Sequence, residues 1–171
     1  MVASLVIAGE FGMTLGQREA DGKGPGMEPK LMPKLGAAEI AEFLDQVFPQ
    51  LRGQMVIEEV GPMRARLRMP IDASHLRPGG TVSGPAMFTL ADCAFYVATL
   101  AMIGREALAV TTSLGINFLR KPVPCDLIGE ARILKLGKRL SVGDVMLYSE
   151  GDDRPVAHAT MTYAIPSPDL G

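Results

Sequence analysis

The sequence predicts an α+β domain in which one antiparallel β-sheet wraps around a single long central helix. Three observations carry that expectation. The apolar run from Pro85 to Ala101 contains one ionisable carboxylate, Asp92, and no positive charge, as expected of a helix buried on nearly every face. Two strand-like stretches precede the run and four follow it. Most of these stretches alternate apolar and polar residues and end at short turns bearing Gly, Pro or Asp, the pattern of half-buried antiparallel strands.

Residues 1–34 are unlike the rest. They hold Gly9, Gly12, Gly16, Gly22, Gly24, Gly26, Pro25, Pro29 and Pro33 without a sustained period, and they read as a flexible N-terminal extension to a domain spanning 35–171. The apolar start from Val2 to Ala8 has no basic flank and no small-residue cleavage pattern, so a signal peptide is not expected. From Ala37 to Phe48, Ile40, Phe43, Leu44, Val47 and Phe48 recur at helical spacing opposite Glu39, Glu42 and Asp45. Pro49 ends that helix.

Strands are expected over Gln54–Val60 and Met63–Met69, joined by a Gly61-Pro62 turn. Arg64, Arg66 and Arg68 share one face of the second, as a binding row or, more commonly, as a solvated sheet face. Residues 71–80 read as a loop containing His75, Arg77, Pro78, Gly79 and Gly80. Ser83 or Gly84 can cap the central helix, and Pro85 suits its first turn, where a missing N–H costs nothing. Four further strands are expected over Leu108–Leu119, Leu127–Leu136, Ser141–Glu150 and Val156–Ile165, with turns at Gly137-Lys138-Arg139 and Gly151-Asp152-Asp153.

Composition narrows the function. A chain of 171 residues makes one domain with a proper core. Its net charge of −2 argues against a general nucleic-acid binder. The 47% hydrophobic content points to apolar surface that an oligomer would cover. Cys93 and Cys125 lack metal or redox spacing and suit a reducing cytoplasm. His75 and His158 stand apart without a third ligand, so no metal is expected. A membrane span is disfavoured by the central Asp92 and by flanks without anchors.

From Ala37 to Ile165 the chain resembles hotdog-fold thioesterases of the phenylacetyl-CoA, or PaaI-like, branch. Such proteins carry a loop Asn-x-x-Gly-x-x-His-Gly-Gly followed by Leu-Ala-Asp-x-Ala. Here the segments are Arg77-Pro78-Gly79-Gly80-Thr81-Val82-Ser83-Gly84-Pro85 and Leu90-Ala91-Asp92-Cys93-Ala94. Ser113 to Pro122 resembles the family's third strand, and Lys135 to Leu140 its following hairpin. Arg77 stands where the family has Asn, Ser83 where it has His, and Pro85 where it has the second Gly.

The resemblance implies a cytoplasmic acyl-CoA thioesterase, dimeric or tetrameric, needing no cofactor beyond the coenzyme A of its substrate. It assigns Asp92 as base or nucleophile and Ser113 as a hydroxyl holding the attacking water. Arg77, Ser83 and Asn117 would line the substrate site. Arg120, Lys121, Lys135, Gly137, Lys138 and Arg139 would meet the phosphates of coenzyme A.

Thioester hydrolysis needs a donor for the developing oxyanion and a carboxylate to attack or to activate water. The first N–H groups of a helix lack partners inside it, and Pro85 has none, so the Gly84 N–H is the expected donor. Eight residues separate Gly84 from Asp92, or about 12 Å along one helix. One carbonyl cannot bond to both. A site using both must combine two subunits, which makes a two-fold dimer the expected unit. Two other functions stay open: a non-catalytic acyl-CoA or acyl-chain binding module, motivated by the replaced Asn and His, and a hotdog hydratase or dehydratase.

Overall fold

A computed structural model describes residues 32–166 of the chain. Of the expected N-terminal extension only 32–34 fall among them, and Lys34 already donates its N–H to the Ala101 carbonyl at 2.7 Å. The elements run α1 (Ala37–Val47), β1 (Val56–Gly61), β2 (Arg64–Met69), β3 (Leu76–Arg77), β4 (Thr81–Val82), α2 (Gly84–Ile103), β5 (Val110–Phe118), β6 (Leu127–Leu136), β7 (Leu140–Ser149) and β8 (Ala157–Ala164).

Six strands form one sheet in the order β1-β2-β6-β7-β8-β5, antiparallel throughout. The expected hotdog arrangement is present, with α2 lying against the inner face of the sheet, chiefly on β6, β2 and β7. Alternation does what the sequence asks of it. Ala65, Leu67 and Met69 of β2 point into the core, as do Val145 and Leu147 of β7 and Ala159, Met161 and Tyr163 of β8.

The helix lies close because two strands carry glycine beneath it. A Cβ on Gly129 would sit 3.1 Å from the Leu90 side chain, and one on Gly143 would sit 2.5 Å from the Phe95 ring. Fourteen residues of α2 are buried, which explains its nearly all-round apolar surface. Among the described residues it is the one helix long and apolar enough to cross a membrane, yet 78% of its most apolar window lies inside the fold.

Several boundaries differ from expectation for local reasons. Met63 belongs to the turn before β2, with φ of 59°, rather than to the strand. Gln54 still belongs to the turn that precedes β1, where it donates its N–H to the Leu51 carbonyl. The expected loop over 71–80 contains regular structure. Asp72 caps a 3-10 turn over Ala73–His75 by accepting from the Ser74 N–H at 2.8 Å. β3 and β4 then pair across Arg77-Pro78-Gly79-Gly80, where Pro78 and the positive φ of both glycines make the tight reversal.

The three arginines of β2 are all paired with carboxylates on the outer face. Arg64 meets Glu59 at 2.7 Å, Arg66 meets Glu58 at 2.8 Å and also Glu130, and Arg68 meets Glu58 at 2.6 Å as well as Asp126 and Glu150. The row is therefore a charge lattice on the sheet surface, not a free cationic face.

Candidate active site

Asp92 sits on α2 at a half-buried position where the helix meets the β5 end of the sheet. Its surroundings are more polar than its apolar neighbours in sequence suggest. Thr111 of β5 donates its hydroxyl to Asp92 Oδ1 at 2.6 Å, and the Tyr163 hydroxyl of β8 donates to the same oxygen at 2.7 Å. Hydrogen bonds of this kind fix the orientation of the carboxylate. Oδ2 accepts no hydrogen bond among the described residues, so one carboxylate oxygen is held while the other is left to work.

The sequence reading passed over both donors. Tyr163 could have been found, because it stands at an inward position of an alternating strand and a buried phenol needs a partner. Its ring packs against Phe95 and Tyr96, with centroids 5.5 and 6.0 Å away. Burial, and after it the charge of Asp92, pushes the Tyr163 hydroxyl well above the ordinary phenol range, so it stays protonated and can only donate. Burial and the Asp92 charge likewise push the neighbouring Cys93 thiol up to about 12, which removes it as a nucleophile. Asp92, Thr111, Tyr163, Tyr96, Val47 and Phe48 line a cleft of about 260 Å³.

Gly84 lies elsewhere. Ser83 is the N-cap of α2: its Oγ accepts from the Ala86 N–H at 3.4 Å and its carbonyl from the Met87 N–H at 3.2 Å. Pro85 has no N–H. The Gly84 N–H is thus the one donor of that first turn with no acceptor among the described residues. It opens into a second depression of about 470 Å³, lined also by Arg77, Phe118, Arg120 and Lys121. A Cβ on Gly84 would come within 3.2 Å of the Phe118 ring.

The other expected site residues divide between the two ends of the sheet. Arg77 donates from Nε to Thr81 Oγ1 at 2.9 Å, and Arg120 from Nη1 to the Pro155 carbonyl at 2.8 Å; both face the Gly84 depression. Ser113 and Asn117 are exposed on β5, paired in register with Thr162 and His158. Ser113 makes no hydrogen bond to Asp92; a bulge between Thr111 and Ser113 gives that place to Thr111.

Within one subunit the expected basic residues lie in two groups at opposite ends of the sheet. Gly137, Lys138 and Arg139 make the β6–β7 hairpin, at the end where Leu140 registers with Ala164 and Ala164 with Val110. Arg120 and Lys121 follow Phe118, which registers with Ala157 at the opposite end of the sheet. Among the described residues no three His, Cys, Asp or Glu side chains gather as metal ligands.

Comparison with known proteins agrees with this architecture. A family model described as the thioesterase superfamily matches residues 79–156. A candidate esterase of Saccharolobus solfataricus is 30% identical over 139 residues, covering 79% of this chain and 89% of that protein. The crystal structure of a candidate thioesterase from Silicibacter sp. TM1040 superposes with a TM-score of 0.75 at 47% identity, over 81% of this chain and 96% of that one. A mutant of the phenylacetic acid degradation protein PaaI from Thermus thermophilus gives 0.60 at 25% identity, over 69% and 99% of the two chains.

Proposed function

Since the chain belongs to the thioesterase superfamily, on its PaaI-like side, we propose that it is an acyl-CoA thioesterase whose two active sites each draw on both subunits of a dimer. The observation that carries this reading is the placement of Asp92 and Gly84. They lie on one helix but open into separate depressions, one beside Thr111 and the other beside Phe118, towards opposite ends of β5.

β5 is an edge strand, and its N- and C-terminal ends expose Val110 and Phe118. An uncharged edge of this kind, unpaired among the described residues, is ready to receive another strand. Antiparallel pairing of two β5 strands about a two-fold axis sets the Thr111 end of each beside the Phe118 end of the other. Asp92 of one subunit then faces the Gly84 N–H of the other. The same operation carries the Lys138-Arg139 hairpin of one subunit towards Arg120 and Lys121 of the other. That assembles the basic group for the phosphates of coenzyme A.

In the reaction, Asp92 Oδ2 takes a proton from water as the water oxygen attacks the thioester carbonyl. The oxyanion is held by the partner subunit's Gly84 N–H, and collapse of the adduct expels the thiolate of coenzyme A, which takes up the proton. No cofactor or metal enters the scheme. Single turnover in ¹⁸O-labelled water tests for direct attack by the carboxylate, which forms a mixed anhydride and leaves label in Asp92 when water opens it at the aspartyl carbonyl.

The test is complementation. Asp92→Asn removes the base. Gly84→Pro removes the N–H where the backbone accepts proline, because Ser83 is already extended, with φ of −77° and ψ of 155°, though the Phe118 ring, 3.2 Å from an added Cβ, must give slightly. Each variant alone should lose hydrolysis of an acyl-CoA panel. Remixed subunits should recover about a quarter of the parent rate, since half the dimers are mixed and each has one intact site of two. No recovery, with the dimers shown to exchange, rejects the shared site.

The second reading is an acyl-CoA binding protein without turnover. It is favoured by the local commitments of Ser83 to the helix cap and Arg77 to Thr81. Saturable acyl-CoA binding with no hydrolysis would select it. The two free cysteines suit a cytoplasmic setting for either function.

A further inference from the structure

The Asp92 cleft does not end at Asp92. Phe48, Cys93 and Tyr96 line it and also line a separate apolar cavity of about 450 Å³ that runs beneath α1. Ala38, Ala41 and Leu44 of α1 wall that cavity, with Leu67 and Val97 on the core side. Among the described residues its charged lining is Asp45 and Arg52, exposed and paired with one another at 3.4 Å. The volume lies in the range of small-ligand sites, and the lining suits a ligand segment that makes no hydrogen bonds.

We infer that this cavity takes the acyl chain of the substrate, and that the small side chain of Ala41 sets the length it accepts. The inference rests on the thioesterase reading for the position of the thioester. The wall of Phe48, Cys93 and Tyr96 shared with the Asp92 cleft is what selects an acyl chain over any other apolar occupant. For a carbonyl at Asp92 the cavity offers apolar space within the same subunit, on the far side of the Cys93 thiol and the Tyr96 ring. Ala41 is exposed on α1, so enlarging it narrows the cavity without disturbing Ile40 or Phe43, the buried face of the helix.

The full chain is titrated by calorimetry with non-hydrolysable S-alkyl-CoA thioethers from ethyl to dodecyl. Affinity should rise by about fourfold per methylene until the cavity fills. In Ala41→Phe, and less so in the milder Ala41→Leu, the rise should stop at a shorter chain while the ethyl thioether binds as before. Affinity independent of length, no binding at all, or a break at the same length in all three proteins, overturns the inference. Hydrolysis of the matching acyl-CoAs keeps the two readings apart. Length-dependent binding without hydrolysis sustains the cavity and rejects the enzyme. Hydrolysis abolished by Asp92→Asn with length-independent binding does the reverse.

Discussion

The two edges of the sheet are built on opposite plans. β1 is short, bulged between Ile57 and Glu59, and carries Glu58 and Glu59, which pair with the arginines of β2. β5 is longer, has no charged side chain from Val110 to Phe118, and leaves both of those residues about half exposed, at 52% and 54%. Bulges and charge keep a sheet edge from accepting another strand; an uncharged edge invites one. The difference teaches where assembly is to be sought, and it is beside β5 that Asp92, Gly84 and Phe118 all lie.

The largest expected effect follows from charging the open edge. Thr112→Lys on β5 should give monomers by sedimentation and abolish hydrolysis with them, because each site then lacks half its groups. Glu59→Lys on β1, which loses only an exposed ion pair with Arg64, should leave mass and rate unchanged. Equal behaviour of the two variants would erase the distinction between the edges.

A smaller effect is expected one strand in from β5. Tyr163→Phe keeps the ring packing but removes a hydrogen bond to a charged oxygen, so kcat should fall about tenfold with KM little changed. An unchanged kcat would reduce Tyr163 to a packing residue.

The smallest concerns the closed edge. The hydrogen bond from Arg66 holds the Glu58 carboxyl below its ordinary range, burial works against it, and Arg68 adds to the lowering. A carboxylate depressed in the folded state contributes stability above its unfolded pKa of about 4.5 and loses it as pH falls through the folded value. Thermal melts of Glu58→Gln should therefore lie slightly below the parent at neutral pH and converge with it in acid. A gap that stays constant with pH would point to packing instead.

Much of this was legible in the sequence because burial imposes periods. The all-apolar α2 and the alternation of β2, β6 and β8 announce one helix against one sheet, and Pro85 after Ser83 marks where the helix begins. Asp92 stood out because a lone acid among apolar residues demands an explanation. Its donors did not, because Thr111 and Tyr163 reach it from strands 19 and 71 residues away. Nothing local in a chain records such a meeting. The separation of the basic residues was not legible for the related reason that nearness in sequence after β5 and after β6 says nothing about which end of a sheet each loop occupies. The ladder between β3 and β4 was missed because two-residue strands are too short to show a period.

Cys93 carries one more implication. A thiol that keeps its proton until about pH 12 offers peroxides and alkylating reagents almost no thiolate to attack. Sulfur thus lines the wall between cleft and cavity as a soft, inert surface, and under mild peroxide Cys93 should stay reduced.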